Sequence, residues 1–256
     1  MRLLEIDEMG VLDELDWNWA SATGGVLSRR QAMRLAALLV AVLPTLLDSK
    51  VRTLLGSHGT ARLDDLGFPD TPLARDAERR ARETLSPAMY EHSWRTYYFG
   101  RALARYDRAA AVDDELAFVA AMLHDIALEN PVPGRCFAVR GAEYAAMALT
   151  EMGEAPERVQ AVRDGIAQHI TLGVSDLSTI AGLLSTGAGL DLFGLRAPDM
   201  DQQWLATVLA EHPRLAFKAA VIQAARAEVA AVPDGRLALI YRTGWEQLVL
   251  TAPWAE

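Results

Sequence analysis

The sequence predicts an all-α protein. Apolar residues recur at helical spacing through most of the longer segments, strict period-2 alternation is scarce, and alanine makes up roughly one residue in six. Alanine at that level favours helices that pack closely. A first helix is expected over 30–49, built on the longest apolar run, Leu35 to Leu47. That run falls short of the ~20 residues a bilayer span needs and Pro44 interrupts it, so it reads as a buried helix. A second is expected over 71–84. Ser86-Pro87 marks the start of a third, with an oxygen-bearing N-cap and a proline at the first helical position, running to about Asp107. From Asp113 to Ala127, Leu116, Val119, Ala120 and Leu123 fall at i, i+3, i+4 and i+7 after an acidic first turn, and Pro131-Val-Pro-Gly134 closes the segment. Further helices are expected over 138–152, 156–170, 176–186, 201–211, 213–231 and 235–249. Residues 1–65 read as an N-terminal helical extension, and 66–256 as the main helical body.

Composition narrows the function classes. The chain has 256 residues, 51% of them hydrophobic, with a formal charge of −9 and a pI near 5.1. An acidic balance argues against a sequence-independent grip on a phosphate backbone, so nucleic acid is not an expected partner. Cys136 is the single cysteine, which excludes intrachain disulfides and cysteine-rich zinc modules. The acidic start MRLLEIDEMG lacks the form of a secretory signal, and a cytoplasmic protein without membrane partners is expected. Only Lys50 and Lys218 could serve Schiff-base chemistry.

Five histidines remain to be placed. His58, in a glycine-flanked loop, and His212, before a proline at a helix junction, read as incidental. The other three point inward. His92 shares a face with Arg95, Phe99 and Leu103; His169 falls on the stripe Val159, Val162, Ile166; His124 follows the apolar positions of its helix and adjoins Asp125. Several imidazoles and a carboxylate in an apolar interior are costly unless a cation compensates their polarity, so a metal site is expected.

His92, the later pair His124-Asp125 in Leu123-His-Asp-Ile-Ala127, and Asp191 in Gly189-Leu-Asp-Leu-Phe-Gly194 together resemble the HD-domain superfamily of metal-dependent hydrolases. The intervals are 32 residues from His92 to His124 and 66 from Asp125 to Asp191. Phe68-Pro-Asp-Thr-Pro72, His92-Ser-Trp-Arg95, Tyr97-Tyr-Phe-Gly100, Phe137 through Gly141-Ala142 and Ile166 to His169 are similar to the cyanamide hydratase-like branch. That likeness spans about 68 to 194. Ala138 stands where that branch leads one to expect an acidic residue, and Gln168-His169 replaces its usual Leu-His.

The resemblance implies an HD-domain helical bundle whose metal ligands are His92, His124, Asp125 and Asp191. Two imidazoles and two carboxylates suit one divalent ion; zinc is the implied one, with manganese or iron as other occupants. Such an ion turns water into a nucleophile near neutral pH. In the cyanamide hydratase-like branch, water adds across a nitrile-type carbon of a small molecule. Asp125 would also orient the water, His169 would bind substrate, transfer a proton or add a ligand, and Arg95 would hold an anionic group or form an ion pair with a helix carboxylate. The alternative is a phosphohydrolase acting on a nucleotide or other phosphoester, although many such members continue His-Asp-Ile-Gly-Lys where this chain has His-Asp-Ile-Ala-Leu128. A third reading is a metal-bound sensor or scaffold without turnover. Tyr97, Tyr98 and Trp94 read as core, Cys136 as inert packing, Glu129 as a solvated carboxylate with general-base catalysis as its functional alternative, and self-association as an open partner class.

Overall fold

The structure is a computed structural model and describes residues 14–256. It is all-α, as expected, with no strand among the described residues. α1 (Trp17–Thr23) is capped by Asp16, whose side chain accepts the Trp19 N–H. At seven residues it is too short for an apolar period to register in the sequence.

α2 (Arg29–Leu54) starts at a reciprocal capping box between Ser28 and Gln31. It departs from the sequence reading in its end, Leu54 rather than about 49, and in its burial. Pro44 lies inside the helix without ending it, because a proline removes one hydrogen bond and the flanking turns keep theirs. The helix is also not buried as a whole. Leu35 and Leu38 pack inward on Leu15 and Leu27, while Met33, Val40, Leu47, Val51 and Leu54 are each more than half exposed. Among the described residues, α2 is long and apolar enough to cross a membrane by length and composition.

The body follows as α3 (Pro72–Thr84), α4 (Pro87–Tyr106), α5 (Asp114–Leu123), α6 (Phe137–Glu151), α7 (Pro156–Gln168) and α8 (Ile180–Phe193). A 3-10 turn over Ala197–Asp199 leads to α9 (Gln202–Glu211), α10 (Phe217–Ala231), α11 (Arg236–Arg242) and α12 (Trp245–Leu250). The Ser86-Pro87 start holds, but the cap works differently from the expectation: the Ser86 hydroxyl caps nothing, and the Glu129 carboxylate accepts the Ser86 N–H instead at 2.8 Å. Glu129 therefore anchors α4 rather than standing free in solvent.

Three boundaries differ for physical reasons. α8 begins at Ile180, where Thr179 accepts the Gly182 N–H, and runs to Phe193, so Asp191 rides on its last turn. α10 begins at Phe217 because Leu215 and Ala216 take left-handed conformations, φ 52° and 60°, at a cost of about 1 kcal/mol or more each. The segment expected over 235–249 divides at Gly244, φ 97°.

α4 lies at the centre of the main core, packed along α8 and against α5. Two glycines set the α4–α8 spacing. A Cβ on Gly187 would come within 2.2 Å of the Thr96 carbonyl oxygen, and one on Gly100 within 2.6 Å of that of Leu183. Backbones at that distance place Asp191 of α8 directly against His92 and Arg95 of α4. Phe99 of α4 and Phe118 of α5, the latter packed on Trp94 and Tyr97, are fully buried, each removal from water contributing about 1.5–3 kcal/mol.

Candidate metal centre

The His-Asp pair sits where α5 ends. His124 is the C-cap residue, and Asp125 begins a run of tight turns in which the Ile126 N–H bonds the Leu123 carbonyl and the Leu128 N–H that of Asp125. The helix thus stops four residues before the expected end. Breaking helical geometry here brings the adjacent side chains to one point. His169 occupies the matching position on α7, again as C-cap. His92 comes from the middle of α4 and Asp191 from the end of α8.

Each imidazole is fixed through Nδ1. The Ala121 carbonyl oxygen lies 2.7 Å from Nδ1 of His124, the Ile166 carbonyl oxygen 2.6 Å from that of His169, and Asp191 Oδ2 2.7 Å from that of His92. All three partners are acceptors, so each Nδ1 carries the proton and each Nε2 presents a lone pair. Those lone pairs converge on Asp125. Its Oδ2 is 3.3 Å from His124 Nε2 and 3.6 Å from His92 Nε2, while Oδ1 is 3.6 Å from His169 Nε2.

Burial shapes the electrostatics. His124 is fully buried, and desolvation pushes its imidazole down to about 4, leaving it neutral at pH 7. Burial opposes ionisation of Asp125, but the surrounding imidazoles hold its carboxyl below the usual range. Asp191 faces the same opposition, outweighed by Arg95, His92 and Arg214, which keep it ionised.

His92, His124 and Asp125 offer ligand atoms that all lie within 4.8 Å of one another. Lone pairs facing a carboxylate in a dry interior repel unless a cation lies among them. His124 Nε2 makes the point most sharply, being buried with no hydrogen-bond partner. The donor set fits a divalent ion of the nitrogen-and-oxygen-binding type, and the partners on Nδ1 are those that orient metal-ligating histidines.

The structure separates the expected residues into an inner and an outer group. His92, His124 and Asp125 form the cluster, with His169 on the far oxygen of Asp125. Asp191 stands behind His92: Oδ1 accepts from Arg95 Nε at 2.8 Å and from Arg214 at 2.6 Å, and Oδ2 from Arg95 at 2.9 Å. Arg95 is fully buried, and its remaining terminal nitrogen donates to the His212 and Pro213 carbonyls. Of the two readings open to Arg95 from the sequence, an anionic group to hold or an ion pair with a helix carboxylate, the contacts match the second: its guanidinium positions Asp191, which in turn fixes His92.

Sequence reasoning missed Arg214 and Phe217. Arg214, 4% exposed, reaches Asp191 through the left-handed turn before α10, and nothing in His212-Pro-Arg214 signals that path. Phe217 stacks on His92 with ring centres 4.6 Å apart and lies beneath both Arg95 and Arg214. His212 stays outside the cluster, paired with Glu91 and stacked on Trp94. Tyr97 and Tyr98 are core residues whose hydroxyls bond Asp114 and the Leu66 carbonyl. Burial pushes the Cys136 thiol up, as expected of an inert packing residue.

Compared with curated proteins, the chain has no match. The HD domain family model matches residues 89–186, less than half of the chain, a segment that holds His92, His124, Asp125 and His169 and ends before Asp191.

Proposed function

We propose that the protein is a metal-dependent enzyme that uses one divalent ion, zinc by preference, to activate water against a small molecule carrying a nitrile-type C–N centre. One observation carries this reading: the unpartnered Nε2 of buried His124, aimed with His92 Nε2 at the Asp125 carboxylate. The ion would be held by His92, His124 and Asp125. When bound, it supplies Lewis acidity that makes water a nucleophile near neutral pH.

The chain's own residues do the rest. Asp125 offers Oδ2 to the cluster and keeps Oδ1 toward His169, so one carboxylate can both ligate and accept a hydrogen bond from the attacking water. His169, fixed at Nδ1 by the Ile166 carbonyl with Nε2 3.6 Å from Asp125 Oδ1, is placed to accept a proton from that water and return it to the nitrogen of the substrate. Phe217 and Phe137 wall His92 and His169, excluding bulk water.

Substrate size follows from burial. His92, His124, Asp125 and His169 are each less than a tenth exposed, and a cavity of about 370 Å³ beside Ile126 and Ala127 is lined by none of them. A compact substrate suits so enclosed a cluster better than a nucleotide. The phosphoester alternative also loses the two cations the sequence reading weighed for it, since Arg95 is held by Asp191 and Leu128 stands in place of the lysine.

Metal analysis of the purified protein is expected to find about one divalent ion per chain, lost in Asp125→Ala. Turnover of cyanamide and short nitriles, against a panel of phosphomonoesters and nucleotides, tests the chemistry. Phosphoester turnover alone would overturn the C–N reading while leaving the metal centre standing.

A further inference from the structure

The outer face of α2 has no role in the metal centre and no cover among the described residues. Its exposed apolar positions follow a strict rhythm. Met33, Val40, Leu47 and Leu54 are seven residues apart, with Ala37 and Val51 exposed between them and Pro44 completing the alternation of four and three. That 3.5-residue period is the seam by which one α-helix packs on another. The opposite face is already committed, through Leu35 and Leu38, to the rest of the chain.

We propose that this stripe is a two-fold dimer interface, and that its occupant is α2 of a second copy of this chain, running antiparallel. The area fits. The large apolar residues of the stripe expose on the order of 600 Å², the upper end of what one patch on a monomer leaves uncovered and close to the ~800 Å² each partner brings to a standard interface. The register is self-complementary as well. The stripe has its midpoint beside Pro44, so an antiparallel copy sets Met33 of one chain near Leu54 of the other, as an isologous contact requires.

Charge argues for a protein occupant over a bilayer. An amphipathic helix seeks anionic lipid through cations beside its apolar face. Along the stripe Arg34 is paired with Glu14, Arg52 with Asp199, and Lys50 is bonded to Thr251; the exposed Arg29 and Arg30 stand only at its N-terminal end. Asp48 is exposed next to Leu47, and the chain as a whole carries −9.

Sedimentation equilibrium of the full chain at about 10 µM, in the micromolar range where a modest interface is populated, is expected to give a dimer. The double variant Val40→Glu/Leu47→Glu is expected to weaken it roughly 100-fold with far-ultraviolet dichroism and metal content unchanged. The double variant Val40→Cys/Leu47→Cys provides a second reading that adds no charge: the antiparallel register sets position 40 of one chain against 47 of the other, the two stand two turns apart within a chain, and with Cys136 buried mild oxidation is expected to link two chains. A monomeric wild type, a charged variant that still dimerises, or wild-type protein that floats with neutral vesicles while staying monomeric in buffer would overturn the proposal.

Discussion

The two sides of the metal centre are held in different ways. On one side, His124 and His169 each sit at the end of a helix and bond the carbonyl three residues earlier, Ala121 and Ile166. Forming the helix nearly forms the ligand. On the other side, His92 is fixed by Asp191, 99 residues away, and Asp191 is fixed by Arg95 and Arg214. That side exists only when α4, α8 and the turn before α10 have docked. A local hydrogen bond is insured by secondary structure; a chain of four side chains from three elements depends on each of its members.

The comparison predicts unequal sensitivity. Asp191→Asn should have the largest effect. It keeps the shape but leaves the buried Arg95 without a carboxylate and Arg214 with Glu256 alone, costing about 3–5 kcal/mol, and it loosens His92, lowering metal affinity by about 10–100-fold. Denaturant unfolding with and without metal reads both. A variant as stable as wild type would show that the distant side is no weaker than the local one.

An intermediate effect is expected from pH, acting on the local side. His124 has a folded value of about 4 against about 6.5 unfolded. Between those values the unfolded chain binds a proton that the folded one refuses, so stability must fall as the solution is acidified from pH 6.5 toward 4. The loss in metal-free protein should be on the order of 2–3 kcal/mol. It should diminish in His124→Gln, and a wild-type profile flat over that range would contradict a neutral buried imidazole.

The smallest stability change is expected for His169→Gln, about 1 kcal/mol or less, since beyond its edge-on packing with Phe137 the ring's hydrogen bond is local, to the Ile166 carbonyl. Metal content should persist while turnover falls at least ~100-fold, as for loss of a proton-transferring group. Unchanged turnover would remove His169 from the reaction; lost metal would place it among the ligands.

Much of the inner cluster was legible because it follows helical spacing. His92, His124 and His169 each lie on an apolar stripe, and Asp125 adjoins one of them, so period alone directs them inward. The Ser86-Pro87 helix start was equally legible, being local backbone chemistry, although Glu129 rather than the Ser86 hydroxyl supplies the bond. Arg95 shows where that reading fails: the same spacing that places it inside cannot say whether its donors meet a substrate or a carboxylate. α2 shows the complementary failure. Apolar periodicity identifies a helix, but a helix with two apolar faces looks buried whichever face the fold leaves open.

By itself, then, the sequence determined the all-α class, the inward aim of three histidines and the pairing of His124 with Asp125, because each depends on residues within a turn or two of one another. Tertiary structure alone decided that Asp191 stands behind His92, that Arg214 reaches it, and that α2 keeps an apolar face outside. Those outcomes depend on which backbones can approach, which Gly100 and Gly187 allow at one seam, and on a strained turn at Leu215-Ala216 stabilised by contacts from distant parts of the chain.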